Sequence, residues 1–132
     1  MRAQTRSDSP CKAHILVVED DKSSRLALMA LLRMTGFDPF PAASVSEGIA
    51  CLTEHMPHCL ILDLMLPDGN GSTILSYIRE RSLPIRVAVT TGAIEWEKML
   101  QGSAGPPDVV FPKPVDFQRL IDWLTSHCHA QA

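Results

Sequence analysis

The feature that most limits what this chain can fold into is a five-fold alternation of apolar runs with helically spaced segments. Short apolar runs at residues 14–18, 60–63, 87–90 and 108–111, and a weaker one at 37–42, are each followed by residues whose apolar members recur at three- and four-residue intervals. Alternation with short connections predicts a parallel sheet covered by helices on both faces. The weaker run carries Pro39 and Pro41, which have no backbone N–H to give, so it belongs at a sheet edge.

With that strand outermost, right-handed crossovers give the order 2-1-3-4-5, an α/β, flavodoxin-like (βα)5 sheet of five parallel strands. Helices are expected over 22–35 with Gly36 closing the first, from the Ser44/Glu47 capping box to about 55, over 72–81, over 93–101, and after Asp116. Gly102, Gly105, Pro106 and Pro107 crowd the exit of the fourth, which is therefore expected to be the loosest. The 132 residues have room for one domain, read as a tail over 1–12, a folded unit over 13–127 and a short tail over 128–132.

Composition excludes several classes of function. Net charge is −3 and no block of Lys or Arg stands out, which argues against binding to nucleic acid or an anionic membrane. No secretory signal and no run of 18 apolar residues is present, so the expectation is a soluble, cytoplasmic protein. Cys11, Cys51, Cys59 and Cys128 lie far apart and read as reduced thiols. His127, Cys128 and His129 have metal-ligand chemistry but no further donors near them in the sequence.

Chemistry concentrates at the strand ends. Leu60, Ile61 and Leu62 run into Asp63, while the first strand runs into Glu19, Asp20 and Asp21. In the expected order the first and third strands flank the switch point, where ligands bind in open α/β sheets. Glu19, Asp20 and Asp63 in one crevice repel one another unless a cation joins them, and Mg²⁺, which prefers oxygen and retains waters, suits that set. Lys113 ends the fifth strand and Thr91 the fourth, supplying a fixed cation and a hydroxyl donor of the kind a transferring phosphoryl group needs. Asp63 is then the natural nucleophile for an aspartyl phosphate.

Together these stretches make the chain resemble the receiver domain of two-component response regulators, of the chemotaxis-regulator-like kind, over roughly residues 13–126. V-V-E-D-D resembles the acidic metal pocket, D-L-M-L-P-D-G-N-G the phosphoacceptor loop, V-T-T-G the switch Thr, and F-P-K-P the Lys-Pro pair. The resemblance implies Asp63 as phosphoacceptor, Glu19 and Asp20 as metal-pocket acids, the Met65 backbone carbonyl as a further Mg²⁺ ligand, and Thr91 and Lys113 as binders of the phosphoryl oxygens. It also implies a histidine kinase or histidine phosphotransfer protein as donor, and a downstream protein target or homodimerisation as output. A stand-alone regulator is the expected form. A receiver cut from a hybrid kinase is the alternative, and a small aspartyl-phosphate phosphatase is the rival from another class. A flavodoxin-type electron carrier is disfavoured because the first loop, E-D-D-K, repels phosphate.

Two departures from the family pattern stand out. Val110 lies three residues before Lys113, where the family has an aromatic switch residue, and Phe111 is expected on the other face. On the first helix, Leu26, Met29 and Ala30 form a second apolar stripe beside Ala27, Leu28, Leu31 and Leu32, expected either to pack on a neighbouring helix or to form a docking face. Met65, two residues past Asp63, offers little help in positioning a hydrolytic water, so slow dephosphorylation is expected.

Overall fold

A computed structural model describes residues 12–129. Apart from Lys12, Cys128 and His129, the expected tails lie outside the described residues. Strand β1 (His14–Val18) pairs in parallel with β2 (Asp38–Ala42) on one side and β3 (Cys59–Asp63) on the other. After β3 a small antiparallel hairpin of β4 (Met65–Leu66) and β5 (Gly69–Asn70) leads to β6 (Arg86–Thr91) and β7 (Val109–Pro112), which complete the parallel sheet. The order of its five strands is β2-β1-β3-β6-β7. Pro39 and Pro41 do lie at an edge: β2 has β1 as its single neighbour.

The period-2 pattern of each strand divides the core into two layers. Ile15, Val17, Ile61 and Ala88 face helices α1 (Lys22–Met34) and α5 (Phe117–His127), packing on Leu28, Leu32, Leu120 and Leu124. Leu16, Leu60, Leu62, Val87 and Val89 face α2 (Val45–Glu54) and α3 (Ser72–Glu80), packing on Leu52, Ile74, Leu75 and Ile78. Val110 lies on this second layer and Phe111 on the first, as strand alternation requires.

Helix ends follow local chemistry. Asp21 caps α1 by accepting from the Ser24 N–H at 2.9 Å, and Asp116 caps α5 by accepting from the Arg119 N–H at 3.2 Å. α1 stops at Met34, one residue short of expectation, with Gly36 in the left-handed region at φ +95° just beyond. The fourth helix is much shorter than expected. α4 spans Trp96–Met99 alone, with no side-chain cap, because the residues after it are Gly and Pro rich.

Packing divides the second apolar stripe of α1. Met29 is 4% exposed within the first core layer, whereas Leu26 and Ala30 are exposed, so the second apolar stripe does not form one surface. Ala27, assigned to the buried stripe, is exposed. At the other end of the chain, Phe117 in the first turn of α5 is 48% exposed, while Leu120 and Leu124 are fully buried.

Candidate functional site

The C-terminal edge of the sheet gathers the acids. Asp63 ends β3 at 3% exposure and Glu19 follows β1 at 7%, while Asp20 is exposed above them. One oxygen from each of these three carboxylates lies within 4.8 Å of the others, the one such cluster of three His, Cys, Asp or Glu side chains among the described residues. An all-oxygen set with two members buried fits a hard divalent cation that keeps some of its waters. Asp21 does not join it. Its carboxylate is spent on capping α1, which holds it below the usual carboxylate range, and its N–H donates to Glu19 Oε2 at 3.1 Å.

Lys113 balances the buried pair. Its Nζ donates to Glu19 Oε1 at 2.8 Å and to Asp63 Oδ2 at 3.0 Å, joining the ends of β1, β3 and β7 through one ammonium. Burial pulls the Lys113 pKa down, but the hydrogen bonds and charges of Glu19 and Asp63 outweigh it, and the net shift is upward. Asp63 Oδ1 accepts from the Met65 N–H at 3.0 Å. Both oxygens of Asp63 are thereby oriented before any ligand arrives.

Thr91 is buried at the end of β6. Its hydroxyl accepts from the Ala93 N–H at 3.0 Å, and its carbonyl accepts from the Lys113 N–H at 2.7 Å. The crowding that the motif spacing demands is visible at Gly71, eight residues past Asp63. A Cβ there would collide with the Asp63 carbonyl oxygen and come within 3.0 Å of Leu64 Cα. His127, Cys128 and His129 at the chain end form no metal cluster among the described residues: Cys128 is buried, while the His127 and His129 rings contact the Trp123 and Ser126 carbonyls of α5. Cys51, Cys59 and Cys128 are free thiols, and Cys11 lies outside the described residues.

Three further residues support the site in ways that the sequence did not assign. Arg25 on α1 donates to the carbonyls of Glu19 at 2.8 Å and Asp20 at 3.3 Å, holding the acidic loop in place. Asp68 reaches from the loop after Asp63 to cap α2, accepting from Val45 N–H at 2.7 Å and Ser46 N–H at 3.1 Å. Asn70 accepts from the Ser72 N–H at 2.9 Å and donates to the Met99 carbonyl at 2.7 Å, so the same loop grips α4. Asp68 is 22 and 23 residues from its partners and Asn70 is 29 from Met99, beyond the reach of any local pattern.

The sequence profile of the response regulator receiver domain matches residues 15–125. The chain belongs to that family. It is 30% identical over 109 residues to the phosphate regulon transcriptional regulatory protein PhoB of Escherichia coli K12, covering 81% of this chain and 48% of PhoB. It is 33% identical over 110 residues to the sensor histidine kinase AtsR of Burkholderia thailandensis, covering 81% of this chain and 18% of AtsR. The receiver thus spans about half the length of one curated relative and under a fifth of the other. Solved structures agree on the fold. The signal receiver domain of an HD domain-containing protein from Pseudomonas fluorescens Pf-5 superposes with TM-score 0.79 at 19% identity, over 89% of this chain and 94% of that one. The response regulator TrrA of Thermotoga maritima, solved in complex with Mg²⁺ and BeF, gives TM-score 0.77 at 21% identity, over 86% and 97%. Among the described residues no helix is long and apolar enough to cross a membrane.

Proposed function

We propose that this receiver accepts a phosphoryl group onto Asp63 from the phosphohistidine of a kinase or phosphotransfer protein, and that Mg²⁺ is held by Glu19, Asp20, Asp63 and the Met65 carbonyl. The observation that carries the reading is the buried Asp63 carboxylate held by Lys113 beside two further acids. An Asp63 oxygen forms a bond to phosphorus as the phosphorus–nitrogen bond of the donor breaks. When bound, Mg²⁺ supplies the positive charge that lets an anionic carboxylate approach an anionic phosphoryl group. Lys113 contributes a second fixed charge, and the Thr91 hydroxyl, which accepts from the Ala93 N–H and keeps its own proton to give, hydrogen-bonds an outer phosphoryl oxygen.

The output is a change in protein contacts and the chemistry is signalling rather than turnover. Membership of the receiver family supports this, and the likeness to parts of PhoB and AtsR leaves both a regulator and a hybrid kinase as parent architectures. Incubation with a phosphohistidine-bearing phosphotransfer domain is the test. Transfer of label to the wild type, with none to Asp63→Asn, supports the assignment. Label on the variant contradicts it, and steady turnover of a generic phosphate ester favours the phosphatase alternative.

A further inference from the structure

A buried hydroxyl beside Asp63 has no partner. Thr90 is 5% exposed, and among the described residues no hydrogen bond engages its side chain. In the β3–β6 pairing Thr90 stands directly opposite Asp63. Ala88, two residues earlier, belongs to the α1/α5 layer, so Thr90 projects to the same side. There it lines a cavity of about 430 Å³ together with Glu19, Lys113, Leu28 and Leu120. Thr91, one residue on, leaves the sheet on the opposite side and does not line this cavity.

The position does not call for a hydroxyl on packing grounds. Val87 and Val89 show that β6 accepts valine, which has the shape of threonine, and burying an unpaired hydroxyl costs stability. In the resting site each Asp63 oxygen already has a donor, Oδ1 from the Met65 N–H and Oδ2 from Lys113, and none of the described hydrogen bonds joins Thr90 to either. That changes when a phosphoryl group arrives. Its outer oxygens compete for the Lys113 ammonium, and as Lys113 turns to them the Asp63 oxygen it held loses its donor. Paired residues on adjacent strands stand about 4.8 Å apart, near enough for a hydroxyl on the same face to take over.

We propose that Thr90 is a positioning residue of this receiver, whose hydroxyl donates to the Asp63 carboxyl group in the phosphorylated state and shortens the life of the phosphoaspartate. The proposal rests on Asp63 being the phosphoacceptor. In hydrolysis the water oxygen bonds to phosphorus and the bond from phosphorus to the Asp63 oxygen breaks. The electron pair stays on Asp63, which returns to a carboxylate, and the water protons leave with inorganic phosphate and solvent. Charge grows on the Asp63 oxygens through that step. A hydrogen bond from Thr90 is therefore stronger in the transition state than in the acyl phosphate, and it speeds the reaction.

The test follows decay of the phosphorylated protein by intact mass after removal of a small acyl phosphate, in wild type, Thr90→Val and Thr90→Ser, with urea unfolding of each alongside. Thr90→Val is expected to lengthen the lifetime roughly fivefold, the effect of one hydrogen bond, with an unfolding midpoint no lower than wild type. Thr90→Ser is expected to keep the wild-type lifetime. Equal lifetimes in folded wild type and Thr90→Val overturn the proposal while leaving Asp63 as phosphoacceptor. A long lifetime in Thr90→Ser also overturns it, since the hydroxyl is then irrelevant. Absence of any adduct on wild type removes the phosphoacceptor reading and this proposal with it. Should Thr90→Val fail to fold, Thr90→Ala against Thr90→Ser makes the same comparison.

Discussion

Single residues set the electrical state of this molecule, and His58 is the clearest case away from the site. Its Nδ1 accepts from the His14 N–H at 2.8 Å, and the two rings lie 5.6 Å apart. Burial first, and the neighbouring His14 second, lower its pKa from the ordinary 6.5. Between 6.5 and the lower folded value the unfolded chain binds more protons than the folded one, so this contribution to stability is present above 6.5 and is lost as pH falls through the folded value. Urea midpoints should therefore fall from about pH 7 to about pH 5, and His58→Asn should flatten that slope. An unchanged slope contradicts the assignment. Met29 gives a second residue-scale expectation. Because it is 4% exposed in the core, Met29→Ala should cost about 2–5 kcal/mol in urea unfolding. A surface stripe predicts almost no loss.

Among the elements, the loop from Asp63 to α3 is the one that connects everything else. Asp68 ties it to α2 and Asn70 ties it to the carbonyl end of α4, a helix of four residues with no buried side chain. The Asn70–Met99 hydrogen bond is a direct link from the loop after Asp63 to α4. Asn70→Ala should raise amide exchange across α4 while leaving α1 and α5 unchanged; uniform protection across all helices contradicts that. What was legible here followed physical range. The edge placement of β2 came from two prolines, and the caps at Ser44 and Asp116 came from short sequence offsets, whereas the cap at Asp21 emerged only in the structure. The clamps at Asp68 and Asn70 depend on contacts across more than twenty residues, and the burial of Met29 stayed open because both stripes of α1 are apolar.

At the scale of the whole molecule, sheet order turns scattered letters into a site. Glu19 and Lys113 are separated by 94 residues and Asp63 and Lys113 by 50, yet a 2-1-3-4-5 topology puts all three at one edge. That convergence was readable because each strand ends on the residue it delivers. The place of Thr90 was not: two adjacent threonines look alike until the β3–β6 register assigns one of them to the face of Asp63. The central claim is that this arrangement exists to phosphorylate Asp63, and intact mass after exposure to a small acyl phosphate with Mg²⁺ tests it most directly. The account predicts one phosphoryl adduct on the wild type, lost when Mg²⁺ is chelated and absent from Asp63→Asn. An adduct that persists in Asp63→Asn, or none on the wild type under any condition, contradicts it.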